Sequence, residues 1–257
     1  MSGSVTVIGL GPGDAGTLTP DASSALDGAT DLVGYSTYLD MIPDHVAATR
    51  HGSDNREEAA RAAAALDLAA DGRRVVVVSS GDPGVFAMAA AVLEQLDAPE
   101  PPERWSDVTV EVLPGVTAAQ ATAARAGAPL GHDFAVISLS DNLKPWPVIE
   151  RRLDAVAAAD LVIALYNPAS RARPHQLSEA VDVLLRHRAP DTVVVLGRDV
   201  GRPGETIRIV SLAEVPDAGV DMRTVVIVGS SQTRRLTTSD GSVRAYTPRR
   251  YPGVDEA

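Results

Sequence analysis

Val75-Val-Val-Val-Ser-Ser-Gly-Asp-Pro-Gly-Val-Phe86 decides how this chain is read. Four β-branched residues in a row, bounded by small and turn-forming ones, predict a strand buried on both faces. A helix is expected directly after it, with Asp82 as its cap and Pro83 in the first turn, where a missing N–H costs nothing. Gly84 would let a ligand come close to the main chain. In open parallel α/β sheets small ligands bind beyond the carboxyl ends of the strands, so Gly and Asp here are placed for binding as well as for turning. Taken alone, the segment fits a plain helix start equally well.

On the N-terminal side, Ser4 to Leu10 reads as a strand, and Gly9-Leu-Gly-Pro-Gly-Asp14 turns it into a helix capped by Thr19 and reaching about Asp27. The glycine loop is not a dinucleotide fingerprint. Asp14 stands where Gly or Ala is needed, Pro12 lacks a donor for a pyrophosphate, and Asp31 precedes the second strand instead of ending it. An amphipathic helix over 55–70 leads into the central strand. Beyond it follow a helix over Val85–Leu96, a strand over Val108–Leu113 and a helix over Thr117–Ala126. This alternation predicts a parallel sheet with helices on its faces.

Gly127-Ala-Pro-Leu-Gly-His132 is the compact cluster of breakers between two periodic halves. It sets the expected division into an N-terminal α/β domain over 1–130 and a C-terminal α/β domain over 131–236. In the second half, strands are expected at Phe134–Leu139, Leu161–Leu165 and Thr192–Leu196, with helices at Pro147–Ala158 and Pro174–Arg188. Thr206–Val210 and Thr224–Val228 look like a strand pair. Residues 237–257 are polar, contain Pro and Gly and show no apolar period, so a frayed or partly ordered tail is expected.

The 257 residues include no cysteine, which removes disulfides and thiolate metal ligation. His45, His51, His132, His175 and His187 show no metal-ligand spacing and read as surface or turn residues, so no metal is expected. No apolar run approaches the roughly 18 residues needed to span a bilayer, and the N-terminus lacks a signal pattern; a soluble cytoplasmic protein is expected. A formal charge of −11 opposes general affinity for nucleic acid or anionic membranes.

In order, Gly9-Leu-Gly-Pro-Gly-Asp14, Gly34-Tyr35-Ser-Thr-Tyr38, Ser79-Ser-Gly-Asp-Pro-Gly-Val-Phe86, Pro114-Gly-Val-Thr-Ala118 and Tyr166-Asn-Pro168 resemble the tetrapyrrole methyltransferase superfamily over about residues 4–235. Within it, Ser138-Leu-Ser-Asp141, Pro145-Trp146, Ile149-Glu-Arg151, Ala164-Leu-Tyr-Asn-Pro168 and Ser170 are similar to the branch that methylates precorrin-3B at C-17. Phe86 stands where that family usually has tyrosine, and Gly229-Ser-Ser231 replaces a Gly-Asn-Ser; both put local hydrogen bonds in question.

The resemblance implies two α/β domains with an interdomain cleft, S-adenosylmethionine as methyl donor, a precorrin substrate and a homodimer. It also implies a cofactor site lined by Pro12, Ser80, Gly81, Asp82, Val85, Phe86, Thr117, Ala118, Tyr166, Asn167 and Gly197. Gly11, Tyr35, Ser140, Arg125, Arg171 and Arg198 are candidates for contact with the polycarboxylate substrate, the three arginines because guanidinium forks bind carboxylates bidentately. The resemblance further implies that methylation accompanies ring contraction, in which a C-20 hydroxyl must lose its proton, and Asp82 and Asp141 are the candidate bases. Each also has a structural reading, Asp82 as a cap and Asp141 as a turn former. Sister enzymes acting on uroporphyrinogen III, another precorrin, a cobalt-containing ring, a protein or RNA remain open, as does a non-catalytic nucleotide-binding module; the acidic charge weighs against RNA.

Overall fold

Alternate valines of the central strand point to opposite faces of a sheet, and helices cover each face. The structure, a computed structural model, describes residues 3–54, 57–170, 172–251 and 253. Two units partition the chain, Met1–Thr117 and Ala118–Ala257. The first contains β1 (Ser4–Gly9), β2 (Asp31–Tyr35), β3 (Thr49–Ser53), β4 (Arg74–Ser79) and β5 (Thr109–Val112), all parallel, in the order β3-β2-β4-β1-β5. Helices α1 (Pro20–Gly28), α2 (Ser36–Leu39), α3 (Glu58–Ala70) and α4 (Met88–Leu96) connect the strands.

Val75 and Val77 pack with Ala62, Ala65, Leu66 and Ala69 of α3 and with Met88, Ala89 and Val92 of α4. Val76 and Val78 face the other way, toward Ala22 and Leu26 of α1 and Leu39 of α2. A fully buried valine is worth roughly 1.5 to 3 kcal/mol relative to an exposed one, so the run commits β4 to the middle of the sheet. Thr19 caps α1 as expected, its Oγ1 accepting from the Ala22 N–H at 3.3 Å.

Three features of this unit depart from the sequence reading. The helix after β4 begins at Met88, not in the Asp82-Pro83 turn: Phe86 has a φ of 53° and Ala87 is extended, and neither can belong to a right-handed helix. An acceptor for the Met88 N–H comes instead from the Ser79 Oγ, at 3.3 Å. β3 went unforeseen because Thr-Arg-His-Gly-Ser is polar and lies on the sheet edge, where alternation fades. His51 is also no simple surface residue, since its Nε2 lies 2.8 Å from Asp31 Oδ1. Burial pushes the Asp31 carboxyl up, but hydrogen bonds from His51 and Thr30 and the charges of Arg73 and His51 outweigh it, leaving the group below the usual range.

The second unit holds α5 (Ala118–Ala126), β6 (Gly127–Ala128), β7 (Phe134–Ser138), α6 (Trp146–Ala158), β8 (Val162–Tyr166), α7 (Gln176–Leu185), β9 (Val193–Arg198), β10 (Thr206–Ser211), β11 (Thr224–Val228), β12 (Arg234–Thr237) and β13 (Val243–Tyr246). Its main sheet runs β10-β9-β11-β8-β7. β7 and β8 are parallel, whereas β11 is antiparallel to both β8 and β9. β10 and β11 therefore do not pair with each other as expected; each pairs with β9, which lies between them.

One face of this sheet packs against Ile149, Leu153 and Ala157 of α6 and Leu177, Ala180, Val181 and Leu184 of α7. The opposite face packs against Ala119, Ala123 and Ala126 of α5 and against Ala245. That packing draws α5 into the second unit, so the division falls after Thr117 and not at 130/131. The tail, expected to be frayed or partly ordered, is ordered at least over 243–247. β13 pairs with both β12 and β6, Ala245 is fully buried, and the Thr247 N–H donates to the Ala128 carbonyl at 3.0 Å. Among the described residues, no helix is long and apolar enough to cross a membrane.

Candidate active site

Parallel strands β1, β4 and β5 end side by side, and their connections leave the first sheet in one direction. Gly11 and Gly81, both with a φ of 69°, exchange main-chain hydrogen bonds of 3.2 and 2.8 Å across the β1 and β4 loops. Left-handed conformations at both positions favour glycine. The Asp82 carboxylate then fastens two loops at once: Oδ1 accepts from the Gly84 N–H and Oδ2 from the Gly115 N–H, each at 2.8 Å. A Cβ on Gly115 would stand 2.5 Å from the Gly81 carbonyl oxygen, so these loops touch main chain to main chain.

Pro12, Ser80, Gly81, Asp82, Val85 and Phe86 are thus carried by two adjoining loops at one sheet edge, with Gly11 in the bridge itself. Tyr35 ends neighbouring β2, and its ring stands edge-on to Tyr38 with centroids 5.2 Å apart. Thr117 closes the connection that follows β5. Both Asp82 oxygens are taken by main-chain donors, which makes Asp82 a clasp for the loops; it does not cap α4.

In the second unit, parallel β7, β8 and β9 end at Ser138, Tyr166 and Arg198, and antiparallel β11 begins at the same edge, with Thr224 opposite Arg198. The Tyr166 hydroxyl accepts from the Ala119 N–H at 2.8 Å, at the start of α5, next to Ala118. Asn167 has a φ of 53°, and its Nδ2 donates to Ser138 Oγ at 2.9 Å. Ser140 donates its N–H to the same Oγ at 3.3 Å. Asp141 accepts from Gln176 Nε2 at 3.3 Å and lies 3.9 Å from Arg173 Nε. Gly197 is matched to Thr122 of α5, whose side chain occupies the space a Cβ would need.

Two of the three arginines expected to meet a polycarboxylate are engaged within the chain. Arg198 donates from Nε and Nη2 to Asp221 Oδ2 at 3.1 and 3.0 Å, and from Nη1 to Asp199 Oδ2 at 3.0 Å. Burial raises the Asp221 carboxyl, but hydrogen bonds from Arg198, Arg223 and Thr224 hold it below its ordinary value. Arg125 Nε meets Glu205 Oε1 at 3.1 Å. Arg171 lies outside the described residues.

Sequence reasoning missed Ser79 as the acceptor for α4 and Arg173 and Gln176 as the partners of Asp141. Ser79 was visible as a polar residue closing a buried valine run. Arg173 carried only the weak signal of a basic residue inside a Pro/Ser turn.

Residues 4–216 match the model of the Tetrapyrrole (Corrin/Porphyrin) Methylases. The chain belongs to this family. It is 51% identical over 260 residues to a precorrin-3B C(17)-methyltransferase from Sinorhizobium sp., covering all of both chains. It is also 54% identical to the cobalamin biosynthesis protein CobIJ of Mycobacterium bovis, but spans only 50% of that relative's length. The crystal structure of the methyltransferase CobJ superposes with a TM-score of 0.89 at 48% identity, covering 96% of this chain and 100% of that one. A uroporphyrin-III C-methyltransferase from Thermus thermophilus, solved with S-adenosyl homocysteine, reaches a TM-score of 0.67 at 25% identity over 88% of this chain and 97% of that one.

Removing the clasp should loosen the first unit's loops. Hydrogen bonds to a charged acceptor are worth about 1.5 to 3 kcal/mol each, and Asp82→Ala deletes two. We expect calorimetric affinity for S-adenosylhomocysteine to fall by at least about tenfold in a folded Asp82→Ala variant, since tenfold needs only about 1.4 kcal/mol. Unchanged affinity would remove this loop cluster from the candidate cofactor site.

Proposed function

We propose that this chain transfers the methyl group of S-adenosylmethionine to C-17 of precorrin-3B and contracts the macrocycle, a step of cobalamin biosynthesis. The observation that carries the reading is the end-to-end match with the Sinorhizobium precorrin-3B enzyme. The loops of the first unit suit the cofactor. Gly84 has only Asp82 Oδ1 within 4 Å of a Cβ position, at 3.2 Å, so its main chain is approachable. Phe86 is half exposed and can offer an apolar face.

When bound, S-adenosylmethionine supplies a methyl group on a sulfonium, a leaving group that requires no activation. The chain's main task is therefore to hold an electron-rich ring carbon in line with that methyl, and orientation of this kind can lower a barrier by roughly 7 to 11 kcal/mol. No Ser- or Cys-type nucleophile is required. Contraction asks for more, because a hydroxyl proton must leave. With Asp82 engaged as a clasp, Asp141 is the better base: its carboxylate is about one-third exposed and is held from one side by Gln176 and Arg173. A hydroxyl brought to about 2.6 to 3.2 Å could pass it a proton.

The test is methyl transfer over a panel of precorrin-3B, its cobalt-containing counterpart factor III and uroporphyrinogen III, read by mass spectrometry. Precorrin-3B should gain one methyl group and contract; preferential methylation of uroporphyrinogen III would overturn the assignment. Asp141→Asn keeps the shape but removes the base, and should slow contraction at least about tenfold, a floor set below the roughly 10²- to 10⁴-fold usual for a general base, while leaving cofactor affinity intact. Turnover equal to wild type would return Asp141 to the role of turn former.

The same reading carries a cytoplasmic homodimer without nucleic-acid or membrane partners. Light scattering at micromolar concentration should report twice the 26.7 kDa chain mass. A monomer at that concentration would contradict the dimer.

A further inference from the structure

We propose that Arg173 is a positioning residue for the proposed reaction: one buried guanidinium that sets the main chain at Asn167 and the direction of the Asp141 carboxylate. The proposal rests on the methyltransferase reading and deepens it. Arg173 is only 8% exposed. A guanidinium has five donors and a permanent charge, so burial is tolerated only where partners are supplied. Here they come from three strand ends. Nη1 lies 3.3 Å from both the Leu139 and the Asn167 carbonyl oxygens, Nη2 lies 3.3 Å from Met222 Sδ, and Nε lies 3.9 Å from Asp141 Oδ1.

Leu139 follows β7, Asn167 follows β8 and Met222 precedes β11, and these are neighbours in the sheet order β11-β8-β7. A planar fork can reach all three ends at once, whereas the single ammonium of a lysine cannot. The arginine is itself fixed, because Ser170 and Arg173 exchange main-chain hydrogen bonds of 3.1 and 3.0 Å and fold the turn back under the strand ends. Among the described residues, Asp141 is the one carboxylate in ion-pair range of Arg173.

Arg173 acts on two groups in different ways. Asn167 sits in the left-handed region, which asparagine tolerates better than most residues with a Cβ, and is held there by Arg173 on its carbonyl and Ser138 on its side chain. The Asp141 contact is too long for a hydrogen bond, so it orients the carboxylate by charge and leaves the Oδ1 lone pairs available to a substrate hydroxyl, while Oδ2 accepts from Gln176. Arg173 would touch no reacting atom itself.

The experiment is a double-mutant cycle on precorrin-3B turnover, using Arg173→Lys, Asp141→Asn and the pair. Arg173→Lys keeps the charge and loses the fork; Arg173→Gln, with a planar neutral end, serves as a second variant if the first fails to fold. We expect Arg173→Lys to lower kcat by at least about tenfold with KM for the tetrapyrrole nearly unchanged, and to cost less than about threefold when Asp141 is already Asn, as coupled groups do. Losses that simply multiply would overturn the proposal, because a general structural defect is indifferent to Asp141. Calorimetry reads the Asn167 arm without turnover: S-adenosylhomocysteine should bind Arg173→Lys at least about threefold more weakly, and unchanged affinity would refute that arm. Wild-type turnover of precorrin-3B tests the methyltransferase reading separately.

Discussion

A single carboxylate holds the first unit's strand ends together. Asp82 accepts from Gly84 within its own loop and from Gly115 in the loop after β5, while Gly81 beside it pairs with Gly11 after β1. Three connections that leave the ends of parallel strands are thereby closed with almost no side-chain bulk, and Gly81 and Gly115 approach main chain to main chain. Parallel sheets present their strand ends to a common edge, and a ligand can use that edge only if the connecting loops stay low and fixed. Glycine supplies the first condition and Asp82 the second.

The second unit meets the same requirement with longer side chains. Tyr166 reaches the first turn of α5 through its hydroxyl, Asn167 is fixed by Ser138, and Arg173 lies beneath the ends of β7, β8 and β11. The polar groups at this edge are satisfied mainly by one another or by main chain. Arg198 illustrates the consequence: its guanidinium neutralises Asp221 and Asp199 within the chain, and a substrate carboxylate would have to compete with both.

Much of the architecture was legible because apolar patterning is local. Val75–Val78 announced a strand buried on both faces, and the alternation of strands with alanine-rich helices announced the layers around it. Thr19 before Pro20 marked a helix start that the structure reproduces. What escaped was decided by long-range pairing. Thr49–Ser53 becomes a strand through its neighbour β2, with no apolar signal of its own. Residues 243–246 are ordered because Ala245 closes the face of a sheet begun a hundred residues earlier, and α5 joins the second unit for the same reason. In the site, loop membership followed from the glycine and proline punctuation, whereas roles did not. Asp82 resembles a helix cap in sequence, and only the positive φ of Phe86 and the position of the Gly115 N–H reveal a clasp.

That clasp is tested most directly by amide hydrogen exchange at Gly84 and Gly115 in the wild-type protein and in Asp82→Asn. The asparagine retains one acceptor oxygen but turns an NH2 group toward the other donor. With the oxygen kept toward Gly84, the amide of Gly115 should exchange at least about tenfold faster in the variant while that of Gly84 changes little, as for a loop opened locally and not a chain unfolded globally. Equal exchange at Gly115 in the two proteins would show that the Asp82 carboxylate does not hold the strand ends together.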